Sequence, residues 1–265
     1  MELELEGKSV FVAAASKGLG LGAATQFAAE GANVAIASRS AGNLAEARES
    51  IVEAAGCDRE AVFTVEADLA DRDDIESGIA ATVEEFGGLD VLVTNHGGPD
   101  NTSFEDTSLS AFDGGYNDVL RSTVIQCKAA LPHLRDGGGA ITHLVAASAA
   151  EPTSYGTLGN VFRPGVYGLS KILANEEGEH DIRSNCVAPR GVLSDRIESK
   201  ITARAEREGI TEAEVRELRV EELPVPEMGT TETFGKAVAF VSSPAASYIT
   251  GSVLPVDGGW SSRLL

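Results

Sequence analysis

The stretch Val10-Phe-Val-Ala-Ala-Ala-Ser-Lys-Gly-Leu-Gly-Leu-Gly22 decides the fold. Its apolar start reads as a buried strand, Gly18 and Gly20 mark a tight turn, and Ala23, Ala24, Phe27 and Ala28 continue as a small-residue helix. Such a turn offers backbone N–H groups and a helix N-terminus to an anion, for which a cofactor pyrophosphate is the natural occupant. The glycines let the backbone approach the phosphates, and Gly22, Ala23 and Ala24 let the helix pack closely on its strand. Gly-rich turns also serve as plain strand–helix connections, so the rest of the chain has to decide between the two.

Working outward, Asn33–Ala37, Ala61–Val65 and Asp90–Thr94 read as further short apolar strands. Between them lie helical patterns at 41–55 and 71–86, the second with Ile75, Ile79 and Val83 on one face. Beyond them follow a long helix over 108–135 with Pro132 near its end, a strand at 140–145, a helix over about 160–177 and a strand at 182–187. A charged, Pro-bounded segment from Asp195 to about residue 224 has the look of a substrate lid outside the sheet. A helix at 231–241 and a strand at 252–256 close the chain. This alternation predicts a single doubly wound α/β domain over residues 1–265, with a seven-stranded, mostly parallel sheet covered by helices on both faces. In such a sheet the ligand crevice lies at the carboxyl ends of the strands, where their order reverses. Ser16, Arg39, Asp68, Asn95, Ala146 and Pro189 all follow such ends.

The 265 residues suit one domain, and they carry 41 acidic against 21 basic side chains, a formal net charge of −20. That field disfavours nucleic acid and anionic membranes, and it suits either an acidic cytosolic protein or one from a high-salt, halophilic cytoplasm. Cys57, Cys127 and Cys186 are scattered with no Cys-x-x-Cys or Cys/His cluster, so neither disulfides nor a metal site is expected. The charged start MELELEGKS is no signal peptide and no apolar run is long enough for a bilayer. A soluble, cytoplasmic protein is expected.

Several motifs in order now resemble the short-chain dehydrogenase/reductase family, with the 3-oxoacyl-acyl-carrier-protein reductase-like members most similar. They are Ala-Ala-Ser-Lys-Gly-Leu-Gly at 14–20, Ala-Asp-Leu at 67–69, Leu-Asp-Val-Leu-Val-Thr-Asn-His-Gly-Gly at 89–98, Asn-Cys-Val-Ala-Pro at 185–189, and Tyr-Ile-Thr-Gly-Ser-Val-Leu-Pro-Val-Asp-Gly-Gly at 248–259. The resemblance implies a Rossmann-like fold and a nicotinamide cofactor. By it, Ser16, Lys17, Gly18, Leu19 and Gly20 form the phosphate turn, with Ala14 at the family's first glycine. Asp68 and Leu69 bracket the adenine, Asn95, His96 and Gly97 line the adenosine ribose, and Pro189, Gly191, Val192 and Ser194 meet the nicotinamide end. Arg190 stands where the family has the glycine after proline. The resemblance also implies a homodimer or homotetramer built on the long fourth and fifth helices and the segment Asp257-Gly-Gly-Trp260.

Charge argues for NADP(H) over NAD(H). An NAD enzyme usually carries an acid after the second strand, whereas this chain has Ser38-Arg39-Ser40. Arg39 with Lys17 suits a 2′-phosphate through charge-assisted hydrogen bonds.

The family's chemistry needs a tyrosine acid, a lysine that lowers its pKa, an orienting serine and a relay asparagine. Tyr167-Gly-Leu-Ser-Lys171 has the Tyr-x-x-x-Lys spacing. Register argues against it. The serine of the fifth strand typically precedes the tyrosine by about thirteen residues, and the lysine precedes the Ile of the sixth strand by about nineteen. Counting from Ala146 gives Gly159, and counting back from Ile182 gives Arg163. Ungapped, all four positions are changed: Ala146, Val119, Gly159 and Arg163.

The catalytic candidates are then Arg163, as a ligand of the nicotinamide ribose, with Tyr155 and Ser148 as proton donors. Ser148 shares the face of Ala146 if the strand continues. His96 is a further donor candidate and Tyr167 another, although Tyr167 also reads as a packed aromatic at a subunit interface, and Tyr167 with Lys171 is the alternative register. His143 reads as structural. Two functions compete: an NADP-dependent oxidoreductase acting on a small-molecule carbonyl or alcohol with a nonstandard proton donor, and an NADP(H)-binding protein with little turnover. The lid offers both Arg and Glu, leaving substrate charge open.

Overall fold

The computed structural model describes residues 2–262. Its centre is the strand β1 (Ser9–Ala13), buried at every position as a strand covered on both faces must be. The remaining strands are β2 (Asn33–Ser38), β3 (Val62–Glu66), β4 (Val91–Thr94), β5 (Gly139–Leu144), β6 (Ile182–Pro189) and β7 (Val253–Val256). They form one seven-stranded sheet in the order β3-β2-β1-β4-β5-β6-β7, and every pairing is parallel. The expected sheet is therefore correct in strand number and stricter in direction. Its order reverses between β1 and β4, which opens the crevice above Ala13 and Thr94.

Nine α-helical segments occur among the described residues: α1 (Gly18–Ala29), α2 (Ala41–Ala55), α3 (Arg72–Phe86), α4 (Leu109–Gly115), α5 (Ser122–Leu134), α6 (Thr157–Glu176), α7 (Asp195–Glu208), α8 (Glu212–Glu221) and α9 (Thr231–Ser242). On one face of the sheet Phe27, Leu44, Ile51, Phe234 and Val238 pack against Val10, Val12, Val34 and Ile36. On the other face Ile75, Ile79, Ala130, Leu134 and Leu173 cover Phe11, Leu92 and Ile141.

Three differences from the sequence reading matter for the site. The long fourth helix is broken by a wide π-helical stretch at Tyr116–Arg121, which holds the buried Val119. The fifth strand ends at Leu144, and a 3₁₀ turn over Ala147–Ala149 replaces its continuation. The expected lid is a pair of helices, α7 and α8, joined through Ile201, Ala205 and Val215 into a small core of their own.

Helix α1 lies against α9 at backbone distance. A β-carbon on Gly22 would run into the Thr231 carbonyl, and one on Gly235 into the Gly22 carbonyl. Because backbone meets backbone there, no rotamer change relieves the overlap. Gly235→Ala is expected to destabilise the fold by about 1–3 kcal/mol, read as a lower urea midpoint at unchanged m value.

Candidate active site

The crevice begins where β1 runs into α1. Ala14 adopts the left-handed region at φ +48° and Gly18 lies at φ +58°. A β-carbon on Gly20 would overlap the Ala14 carbonyl, so this turn tolerates glycine alone at that point. The N-cap residue of α1, Lys17, makes no side-chain cap, and the first turn holds no acidic residue. Its leading N–H groups therefore face the crevice without a side-chain acceptor, which is the arrangement an incoming phosphate needs. A cleft of about 480 Å³ adjoins the turn, lined in part by Ser16, Lys17, Gly18 and Ser194.

At the β2 end Arg39 is exposed, and Ser40 caps α2 by accepting from the Asn43 N–H at 3.3 Å. Asp68 follows β3, with Leu69 beside it half-buried. The Asp68 carboxylate accepts from the Ala70 N–H at 3.0 Å. Burial and the neighbouring Asp68 raise the Asp118 pKa while Arg39 opposes the rise, so these three charges lie close together. At the β4 end Asn95 donates to the Ala14 carbonyl at 3.3 Å, tying the two sides of the crevice together. Gly97 is exposed beyond it. Gly191, at φ +65°, and Val192 follow Pro189, with Val192 bridging to Gly229. A β-carbon on Gly18 would stand 3.5 Å from Ser194 Cβ, so this loop closes over the phosphate turn. The residues present thus fit a dinucleotide.

The catalytic candidates do not all gather here. Arg163 does: its guanidinium folds back along α6 over Gly159, where a β-carbon would strike it. Its Nε is buried with no hydrogen-bond partner. Tyr155 does not: it is 69% exposed at φ +59° and lines a separate groove of about 530 Å³ with Ser103, Phe104 and Val161. The expectation that it reaches inward is corrected, because the left-handed backbone turns the loop outward. Ser148 lies on the 3₁₀ turn, so the strand alternation that aligned it with Ala146 does not exist.

The alternative pairing is also absent. The Tyr167 hydroxyl donates to the Ala146 carbonyl at 2.9 Å, and its half-buried ring packs with Val145, Val166 and Cys186. Lys171 is exposed one turn further on, where its Nζ stands 2.7 Å from the place a β-carbon on Gly251 would take. The two side chains diverge.

His96 lies deep in the crevice while keeping part of its surface in contact with solvent. Its Nδ1 is 3.0 Å from the Gly97 carbonyl, which fixes the proton on that nitrogen. Burial, then Arg163 and Arg196, hold its pKa down at about 4 against the opposing Gly97 bond. It is therefore neutral at pH 7, and the expectation of an imidazolium donor is corrected.

Sequence reading missed the cations that face His96 and Arg163. Arg196 of α7 lies over Gly98, where a β-carbon would overlap its guanidinium, and donates to the Pro99 carbonyl. Lys200, one turn further along α7, is half-buried, and burial followed by Arg196, Arg163, Arg219 and Arg190 presses its pKa down to about 8. The i, i+4 spacing of Arg196 and Lys200 was the available signal.

The family model described as enoyl-(acyl carrier protein) reductase matches residues 13–261. The chain belongs to the short-chain dehydrogenase/reductase family. It is 31% identical to a D-beta-hydroxybutyrate dehydrogenase of Cupriavidus necator, over 97% of this chain and 98% of that one. It is also 31% identical to a 3-oxoacyl-[acyl-carrier-protein] reductase FabG of Staphylococcus aureus, over 95% of this chain and 97% of the relative. Among solved structures, L-sorbose reductase from Gluconobacter frateurii, complexed with NADPH and L-sorbose, superimposes with a TM-score of 0.93 at 27% identity, covering 100% of both chains. The family's members named here are oxidoreductases, and the chain is a short-chain oxidoreductase by that membership. No helix among the described residues is long and apolar enough to cross a membrane.

His143, on β5, is a structural residue. Its ring nitrogens meet Thr94 Oγ1 at 2.8 Å and Ser184 Oγ at 3.2 Å, and complete burial lowers its pKa to about 3. A folded-state pKa below the unfolded value of about 6.5 gives stability that is complete above pH 6.5 and lost as pH falls towards 3. His143→Gln is expected to remove up to about 1.4 kcal/mol of acid sensitivity per pH unit in that window, read from urea midpoints between pH 7 and 4.

Proposed function

We propose that the protein is an NADPH-preferring reductase of a small-molecule carbonyl, or dehydrogenase of the matching alcohol, whose proton does not come from the family's usual tyrosine. The observation that carries the reading is the uncapped, acid-free start of α1 beside Lys17, with Arg39 at the end of β2 and no acid in its place. The bound cofactor would supply the hydride. Ser16 and the N–H groups of Gly18 to Gly20 would hold its pyrophosphate, Arg39 and Lys17 its 2′-phosphate, Asp68 and Leu69 its adenine, and Arg163 its nicotinamide ribose. The α7–α8 pair acts as the substrate lid. The relatives bearing dehydrogenase and reductase names support turnover over mere cofactor binding.

Proton delivery is assigned to Tyr167. Its phenol reaches the end of β5 at the Ala146 carbonyl, beside the position of the missing serine. Arg163 precedes it by one helical turn, and the phenol and guanidinium are electrostatic neighbours. A permanent cation there favours the phenolate as a lysine would, without itself shuttling a proton. We also read the protein as a homo-oligomer, on the exposed Phe104, Leu109, Tyr116 and Val161 clustered about α4 and α6.

Arg39→Asp is expected to reverse the preference between NADPH and NADH by at least tenfold each way in a fluorescence titration; unchanged NADPH affinity would sink the cofactor assignment. Tyr167→Phe keeps the packed ring, and is expected to lower kcat by about a hundredfold at unchanged NADPH affinity. A retained kcat would move proton delivery elsewhere, and NADPH binding without oxidation across a broad carbonyl panel would leave a binder.

A further inference from the structure

In a chain with twice as many acids as bases, five cations meet in one place. Arg163 comes from α6, Arg190 from the end of β6, Arg196 and Lys200 from α7, and Arg219 from α8. Most other arginines of the chain behave differently. Arg59, Arg72, Arg135, Arg204, Arg207 and Arg216 each pair with a glutamate. Arg183, half-buried elsewhere in the protein, gives its guanidinium to the carbonyls of Val241, Ile249, Ser242 and Ser243 at 2.7–3.2 Å. That is how this chain satisfies a structural arginine.

The crevice cluster is less well satisfied: its exposed member Arg196 gives a hydrogen bond to the Pro99 carbonyl. The Nε atoms of Arg163 and Arg219 are both buried without a hydrogen-bond partner. Arg163, Arg196, Lys200 and Arg219 make no ion pair among the described residues, and only Arg190 does, to Glu222 at 3.2 Å, with its guanidinium also 4.3 Å from the Trp260 ring centroid. Asp100 is the other carboxylate in range, acting on Arg196. Bringing like charges together out of water costs stability unless a counter-charge arrives.

The cluster is separate from the phosphate turn. Asp195 and Glu198 of α7 line the cleft beside Lys17 and Gly18, whereas Arg196 and Lys200 on the same helix turn to Gly98 and Arg163. The end of α8 is fixed above them, with Leu223 against Gly191 and Gly258 and Glu222 on Arg190. Arg219, one turn earlier, is close enough to act on both Lys200 and Arg190.

We propose that the crevice receives an anionic substrate, a carbonyl or alcohol compound whose carboxylate or phosphate group is held by Arg196, Lys200 and Arg219, with Arg163 between that anion and the reacting carbon. The inference deepens the oxidoreductase reading and rests on it for the reaction alone. Anion binding itself stands apart, and so does its test.

The test uses the full chain saturated with NADPH, so that the cofactor's own phosphate sites are filled. Malonate and inorganic phosphate are titrated by calorimetry at fixed ionic strength and pH 7. At least one should bind, and Arg196→Gln or Arg219→Gln should weaken it by tenfold or more, while Lys200→Arg retains it. The tighter probe identifies the headgroup as carboxylate or phosphate. Affinity should also fall as pH rises through about 8, where the Lys200 ammonium discharges among Arg163, Arg190, Arg196 and Arg219, facing the carboxylates Glu222 and Asp100. In kinetics, levulinate should have a KM at least tenfold below that of methyl levulinate, and the ratio should collapse in Arg196→Gln. Failure of both probes to bind, or equal use of acid and ester, overturns the anion site and leaves the reductase standing. Arginine-dependent binding of a probe without turnover of any carbonyl overturns the reductase reading and leaves the anion site.

Discussion

The close approach of the α1 backbone to the end of β1 is the constraint on which the rest depends. Gly20 lies so near the Ala14 carbonyl that no side chain fits, and the same carbonyl accepts from Asn95 across the switch point. One oxygen thus joins strand, helix and the opposite wall of the crevice. Ala14 holds φ +48°, a conformation that costs an L-residue roughly 1–2 kcal/mol and that glycine enters freely. The alanine is tolerated because β1 on one side and the Gly20 contact on the other leave the chain no second path. Packing overrides a local preference there.

How much of this was legible in the sequence follows from which interactions are local. β1, β2 and β4 are short apolar runs ended by turns, and their parallel pairing follows from the intervening helices, so the sheet could be read from pattern alone. The helix α6 was likewise readable as a periodic segment between the fifth and sixth strands. The π-helical stretch around Val119 was not, since it depends on how α4 and α5 meet α6 and leaves no mark in the spacing. Tyr155 was misread for a related reason. A left-handed, non-glycine residue in a loop carries no sequence signature, yet it decides which way the ring points.

The cation cluster was the least legible feature of all. Its members are 163, 190, 196, 200 and 219, spread over four elements, and an amphipathic pattern in α7 shows only which residues avoid the small apolar core of Ile201, Ala205 and Val215. It does not show that the polar side is divided, with Asp195 and Glu198 towards the phosphate turn and Arg196 and Lys200 towards Arg163. Only the three-dimensional placement separates these from ordinary solvated charges. The ion pairs elsewhere on the surface contribute about 0–1 kcal/mol apiece and decide little.

Arg163 sets the electrostatics of the inner crevice. Its guanidinium fills the space over Gly159, and the long planar group carries a fixed charge there. That charge has consequences for each neighbour. It helps to keep His96 neutral, and it helps to lower Lys200. A site with this balance is poorly suited to a neutral, apolar ketone, whose arrival would bury the cations further without offering them a partner. An anion reverses that cost, because the same desolvation that penalises isolated cations strengthens their attraction to an opposite charge. Arg163 and the arginines of α7 and α8 are then parts of one electrostatic arrangement, in which the charge over Gly159 also selects the molecule to be turned over.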